Sequence, residues 1–456
     1  MNTLSYRKIF ATWWPLAASW LFMGTELPMI SAVMARLADP KIHLAAYGGV
    51  VFPLALIIEA PIIMLLAAST ALSKDTASFQ KIYRFMMWAG GALTALHFLI
   101  AFTPLYYPVV VRLMGVPDEI VEPARVGLMI MIPWTWTIAY RRYHQGVLIR
   151  FGYSRAVGVG TAIRLAANGA MLAFLVLLDR GNPALTLPGI VVGTSGISAG
   201  VIAEAIYAGL RVQPVLKGEL RQAPTVHPVL TWRTFFAFYI PLVMTAVINM
   251  LAQPATPAAI SRMPFALESL AALPVVSGLA FMFRSMGFAY NEVVVALLDH
   301  PGSTALLRRF ANLLAVITTL GLILMAVTPL SSFWFVQISG LDPELGALAR
   351  GGLLAAALWP GLSVLQNWYQ GVLVNQRKTY HVTISVVILV ATTLSALVIG
   401  TAMKQFVGLY VGISAFVIGQ AAQVAWLWWA SRPVLAATAA RDARIEEGLA
   451  LPAIAD

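Results

Sequence analysis

Apolar residues run along this chain in stretches of about twenty or more, the length that crosses a bilayer core as helix. Short clusters of Pro, Gly, Asp and basic residues interrupt them, and nowhere does the pattern fall into the alternating ten-residue segments of a membrane barrel. The stretches predict twelve helices, at 10–34, 44–72, 83–103, 121–140, 154–178, 188–211, 232–261, 268–298, 309–331, 345–371, 379–402 and 405–431. The fold class expected is therefore all-α polytopic, with twelve transmembrane helices. Arg7-Lys8 before the first stretch imitates a signal peptide, but the apolar run is too long and lacks a small-residue cleavage site, so it reads as a retained first helix.

The chain also nearly repeats itself. Tyr6, Arg7, Phe10, Pro15, Leu16, Pro28, Arg36 and Leu44-Ala45-Ala46 recur 226 positions later as Trp232, Arg233, Phe236, Pro241, Leu242, Pro254, Arg262 and Leu270-Ala271-Ala272. At an offset of 225, Arg84-Phe85 becomes Arg309-Phe310 and Gln145-Gly146-Val147-Leu148 becomes Gln370-Gly371-Val372-Leu373. Six helices per copy return each copy to the side where it began, which makes the repeat parallel and predicts two six-helix bundles facing one cleft. The expected division is an N-terminal bundle at 1–212, a linker at 213–231, a C-terminal bundle at 232–431 and a polar tail at 432–456.

Composition agrees with this picture. Apolar residues make up 60% and charged residues 11% of the chain, and the mean hydropathy is +0.81, too little polar surface for a soluble protein of this size. The net charge of +11 reads as loop charge beside anionic lipid rather than as a nucleic-acid surface, because no basic run interleaves with aromatics. There are no cysteines, which removes disulfides and thiolate metal sites. Basic residues concentrate on one side, at Arg7, Lys8, Lys74, Lys81, Arg84, Arg141, Arg142, Arg150, Arg155, Lys217, Arg221, Arg308, Arg309, Arg377 and Lys378 among others. The positive-inside rule then puts both termini in the cytoplasm, in a bacterial inner (plasma) membrane. Interfacial segments are expected after helices three and nine, where Tyr106, Tyr107 and Arg112 precede Asp118-Glu119, and where Asp342-Pro343-Glu344 stands in the second copy.

Charges within apolar helices cost enough to be functional candidates by default. Glu26 lies in the outer half of the first helix, two positions before Pro28, where it reads as a coupling carboxylate or as a glutamate satisfied near a kink. The second copy offers neutral Asn249 and Gln253 before Pro254 and Pro257 instead. Glu59 and Arg284 stand 225 positions apart with opposite charge, and read as a gate pair across the cleft, as a coupling acid with an anion site, or as a buried packing pair. Arg164 and Glu204, at matching depth on neighbouring helices, read as a structural pair. His97 reads as a proton shuttle or a packing residue. Arg36 and Arg262, symmetry mates at the outer helix ends, read as snorkelling to headgroups or as anion attractors at the cleft mouth. No Walker A, H-E-x-x-H or G-x-S-x-G pattern occurs where it could act, so no cofactor or metal is expected and the driving force is expected to be a gradient of H+, Na+ or solute.

Two runs of six helices carrying the Gln-Gly-Val-Leu motif resemble the multidrug/oligosaccharidyl-lipid/polysaccharide (MOP) exporter superfamily, which contains the MATE transporters. Locally, Leu44-Ala45-Ala46-Tyr47-Gly48, His97 through Phe102, Tyr106-Tyr107, Asp118-Glu119, Gly146-Val147-Leu148 and Pro254 followed by Ser261-Arg262 are similar to the progressive ankylosis protein family. The resemblance implies two V-arranged bundles that rock around a central cavity, and directs attention to Glu26, His97 and Arg262. It implies export of an organic anion such as citrate, a nucleotide or pyrophosphate, or, on the MATE side, exchange of cationic drugs for protons or sodium; read as a cation antiporter, the chain would use Glu26 and Glu59 as coupling acids. A lipid-linked glycan flippase belongs to the same superfamily. A polytopic membrane enzyme is a competing reading, but its nearest acid cluster, Asp118-Glu119-Glu122, is explained by the start of a helix. The expected partners are a small solute and the lipid bilayer, with no nucleic acid, and the chain is expected to be a monomer.

Overall fold

The computed structural model describes residues 4–182, 186–376 and 378–446. Arg377 and the end of the tail lie outside them, as does the side chain of Asn249. Among the described residues the chain is helical throughout, with no strand. The long helices are α1 (Tyr6–Met34), α2 (Pro40–Leu72), α3 (Thr76–Phe102), α4 (Asp118–Ile130 continued by Ile132–Arg150), α5 (Arg155–Gly181), α6 (Gly189–Lys217), α7 (Trp232–Ile260), α8 (Ala266–Leu297), α9 (Ser303–Val327), α10 (Pro343–Ala355 continued by Trp359–Asn375), α11 (Thr379–Met403) and α12 (Gly408–Glu446).

Eleven of the twelve are long and apolar enough to cross a membrane, and this is an integral, multi-pass membrane protein. The exception is α4, whose second segment carries Arg141, Arg142, His144, Gln145 and Arg150. Here the structure corrects the sequence reading. The fourth helix does not stop at residue 140 but runs to Arg150, and Arg141 is buried rather than in a loop. The reason is the position of α4 at the centre of its bundle, packed on α2, α3 and α6, where buried acids await its arginines. Its counterpart α10 is packed in the same way on α8, α9 and α12. The last helix also runs past residue 431 to Glu446, docked where Asp442 Oδ2 accepts the Thr304 N–H at 3.0 Å and Arg441 Nη2 donates to the Leu298 carbonyl at 2.9 Å.

The first helix of each copy ties the two bundles together. Near the termini, the Trp13 indole of α1 donates to the Met286 carbonyl of α8 at 2.9 Å, and the Trp13 ring meets Phe310 edge-on at 5.8 Å. Shifted by the repeat offsets, the Tyr239 hydroxyl of α7 donates to the Pro61 carbonyl of α2 at 2.6 Å, and its ring meets Phe85 at 5.0 Å. At the far end, away from the termini, Arg36 donates to the carbonyls of Gln337 (2.6 Å) and Ile338 (2.7 Å), and Arg262 to those of Leu113 and Met114 (both 2.8 Å). Each pair of carbonyls closes a short π-helical segment, Pro108–Met114 or Phe333–Ile338, in the interfacial stretch that follows α3 or α9. Gly115 (φ +65°) and Gly340 (φ +75°) come next in left-handed backbone, where a side chain would be strained and would also strike the clasping guanidinium. Arg36 and Arg262 therefore close the far end rather than stand free at a cleft mouth.

Between these two tiers the bundles touch near the pseudo-twofold axis. Gly48 and Pro274 are equivalent positions of the repeat and pack against each other, so close that a Cβ on Gly48 would lie 2.6 Å from the proline Cδ. Pro28 seats on Gly278 beside them.

Candidate functional site

Below this contact, toward the termini, a cavity of about 620 Å³ opens between the bundles. One wall is formed by α1, which is interrupted at Thr25 between Tyr6–Gly24 and Glu26–Met34. Pro28 accounts for the break: it has no N–H to give the Gly24 carbonyl, and its ring crowds that carbonyl. Glu26 consequently becomes the first residue of a new helical segment and lies on the cavity wall.

Glu26 is the outermost member of a buried polar chain in the N-terminal bundle. Its Oε2 lies 2.9 Å from Arg164 Nη2 and its Oε1 accepts from Asn168 Nδ2 at 3.3 Å. Arg164 Nη1 reaches Glu204 Oε2 at 3.7 Å, the same oxygen lies 2.8 Å from Arg141 Nη1, and Gln145 Nε2 donates to Glu204 Oε1 at 2.9 Å. The Arg164/Glu204 pair read from sequence is thus the longest link in a chain, and each partner has a closer one. In a low dielectric this alternation of sign is what makes buried charge tolerable.

Glu59 and Arg284 do not meet. Glu59 is buried behind the cavity wall and accepts the Trp134 indole N–H at 2.6 Å. Arg284 faces the cavity from α8, its guanidinium 4.2 Å from the Trp359 ring centroid and 5.3 Å from that of Phe288. Trp134 and Trp359 are themselves 225 positions apart, so both copies set the same tryptophan against the same charged position, edge to the carboxylate and face to the guanidinium. This pair of tryptophans was missed in the sequence, although the repeat aligns them next to prolines, Pro133 and Pro360. Among the described residues Arg284 has no hydrogen bond and no ion pair, and its Nε is buried without a partner.

The remaining sequence candidates divide. Gln253 lines the cavity, together with Thr256 and Pro257 of α7. The Asn249 side chain lies outside the described residues. His97 is absent from the cavity wall; it is buried inside the N-terminal bundle, where Nδ1 lies 3.0 Å from Thr135 Oγ1. Sequence reasoning also passed over Gln366 and Gln420, which line the C-terminal wall in series: Trp359 Nε1 donates to Gln420 Oε1 at 2.6 Å, and Gln420 Nε2 to Gln366 Oε1 at 2.9 Å. Their signal was available, because the repeat offset places Gln366 opposite Arg141. Among the described residues the charged members of the lining are Glu26, Arg164 and Arg284, one negative against two positive, or a net +1. Among the described residues no cluster of His, Cys, Asp and Glu could hold a metal ion.

No protein-family profile and no curated protein sequence matches this chain. Solved structures do. An inward-facing multidrug resistance MATE family transporter of the MOP superfamily aligns over 93% of this chain and 99% of its own, with a TM-score of 0.71 at 13% identity. The lipid II flippase MurJ in an inward closed conformation aligns over 94% of this chain and 90% of its own, with a TM-score of 0.67 at 13% identity. An outward-facing conformation of a multidrug resistance MATE family transporter of the MOP superfamily aligns over 95% and 97%, at 14% identity, with a TM-score of only 0.51. The chain has the fold of the MATE and MurJ transporters of the MOP superfamily.

Proposed function

We propose that this protein is a secondary active transporter of the MOP type that exports a small organic anion by alternating access between its two bundles. The observation that carries the reading is Arg284. Among the described residues it is the cavity's one cation without a counter-charge, while Arg164 is held by Glu26 and Glu204. Buried arginines are kept where they pair or bind a ligand, and Arg284 is left to do the second. The ankylosis-like motifs point the same way. Glu26, at the helix break and on the cavity wall, is the residue through which H+ or Na+ would couple, by competing for the Arg164 pair. The protein works as a monomer in the inner membrane with both termini in the cytoplasm, so the far end faces outward. It carries no catalytic site in this reading. Its nearest acid cluster is spent on structure: Glu122 Oε1 accepts the Tyr107 hydroxyl at 2.7 Å.

One observation favours a second reading, a proton- or sodium-coupled antiporter of cationic drugs. Glu26 gives the cavity a carboxylate, and the inward-facing neighbour is a multidrug transporter. Proteoliposome flux of labelled citrate, benzoate and a lipophilic cation separates the two. The anion reading expects anion flux that Arg284→Gln abolishes. Cation flux that survives Arg284→Gln and is lost with Glu26→Gln would replace it with the antiporter.

A further inference from the structure

We propose that the ligand of the central cavity is an organic anion with a single acidic head on an apolar, ring-sized body, and that Arg284 and the amide of Gln366 hold that head. The proposal rests on the anion reading above and narrows it.

Arg284 lies over the rings of Trp359 and Phe288, its guanidinium carbon 4.2 and 5.3 Å from their centroids, and these contacts use none of its N–H groups as hydrogen bonds. Its N–H edge is a planar fork of donors that matches a carboxylate or a phosphate in two parallel bonds. No described residue takes those bonds, and the Nε is buried without a partner among them.

The second donor follows from the direction of the hydrogen bonds beside it. An indole N–H can only donate, so Gln420 must turn its oxygen toward Trp359, at 2.6 Å. Its amide nitrogen then donates to Gln366 Oε1 at 2.9 Å. The oxygen of Gln366 is thereby used, and the end of the relay is an NH2 group on the cavity wall. A rotated Gln366 would set two amide nitrogens against each other, so the relay fixes the polarity of its last member. Trp359 takes part twice, with its face on Arg284 and its edge at the head of the relay, and it places both donors on one wall.

Charge and shape then limit the ligand. The lining sums to +1, so one negative charge is compensated, and a tri- or tetra-anion would leave two or three charges without a partner in a low-dielectric cleft. The rest of the wall includes Phe52, Phe281, Phe416, Leu56 and Ile413, which would face an apolar or aromatic body. At about 620 Å³ the space suits a drug-sized solute and is short for a two-chain lipid.

The test uses the full chain in nanodiscs and equilibrium binding of labelled 2-naphthoate, with citrate, 2-naphthylmethylammonium and lysophosphatidate as competitors. Saturable naphthoate binding is expected. It should weaken at least about tenfold in Arg284→Gln, and severalfold in Gln366→Leu and in Gln420→Leu, which touches the head only through the relay. Arg284→Lys should recover part of the loss, and melting curves check that each variant is folded. If Arg284→Gln does not fold, Arg284→Lys and Gln366→Leu decide, and naphthoate binding unchanged in both overturns the proposal. Citrate competing as well as unlabelled naphthoate, through Arg284, would overturn the single acidic head and leave the anion transporter standing. Preferred binding of the ammonium probe would overturn both. Binding of lysophosphatidate without naphthoate would show that the acid belongs to a lipid and overturn the ring-sized body.

Discussion

Removing the two guanidiniums that clasp the far end should open it. Arg36 and Arg262 each place two hydrogen bonds on carbonyls of the opposite bundle, at 2.6 to 2.8 Å. Each also bonds its own helix, to Ala32 and Ala258, but those bonds persist whether the bundles are together or apart and do not enter the difference. A bond from a charged donor contributes about 1.5–3 kcal/mol when sheltered, and at these exposed side chains water competes, so about 1 kcal/mol per bond is the reasonable value. That amounts to about 2 kcal/mol for each arginine, or roughly a 30-fold shift toward the outward-open state at 1.4 kcal/mol per tenfold. If the two sites act independently the double variant shifts it by about 10³. The chain has no native cysteine, which makes the assay clean. Ser277→Cys, on the cavity wall about one helical turn below the closed contact at Pro274, is labelled with a membrane-impermeant maleimide from the far side. Arg36→Ala and Arg262→Ala should accelerate labelling by similar factors, and the double variant by roughly their product. Unchanged labelling in the double variant, or equal gains from both sides of the membrane, would refute the clasp, the second outcome indicating general loosening.

Two more outcomes follow from single side chains. Arg141→Ala leaves the fully buried Glu204 with Gln145 and the distant Arg164 guanidinium, and should cost about 3–5 kcal/mol, read as a large fall in melting temperature in detergent; Arg141→Met with Glu204→Gln should recover much of it. Asp75, the N-cap of α3, is pushed up by burial, but bonds from the Ser78 hydroxyl and from the Val226 and Ser78 N–H groups outweigh this and hold it below the usual carboxylate range. Its contribution is therefore complete above about pH 4, the ordinary unfolded value, and is lost as pH falls through the lower folded value. Limited proteolysis of the linker around Val226 should speed up only at strongly acid pH, and Asp75→Ala should bring the fast cleavage to neutral pH.

Helix number and the internal repeat were legible in the chain because both depend on lengths and spacings that folding does not alter. The site was only partly legible. Glu26 was visible through its charge and its proline, but Arg141 was assigned to a loop because a basic residue at the end of an apolar run normally marks the water boundary. The structure instead spends it on Glu204. Glu59 and Arg284, for which a meeting was one of the readings, stand apart in this structure for a geometric reason. Equivalent residues of a twofold repeat touch only near the axis, as Gly48 and Pro274 do, and positions away from it are carried apart. The arginines at the helix ends were found, but their partners are main-chain carbonyls, which no side-chain pattern announces.

The polarity of α4 also bears on how the chain enters the bilayer. Arginine at the middle of a spanning helix disfavours insertion by about 2.5–3.5 kcal/mol, and Arg141 and Arg142, past the midpoint of α4, together oppose it by a part of the roughly 5–7 kcal/mol that two central arginines would cost. The carboxylate that Arg141 needs is on α6, which emerges later in synthesis. The fourth helix must then wait at the membrane surface or within the insertion machinery until α5 and α6 arrive, and enter as part of a group. A chain ended after Arg150 should leave α4 unspanned, detectable by glycosylation mapping, while one ended after Lys217 should not. The charges that organise the cavity wall thus also set the order in which this bundle can be built.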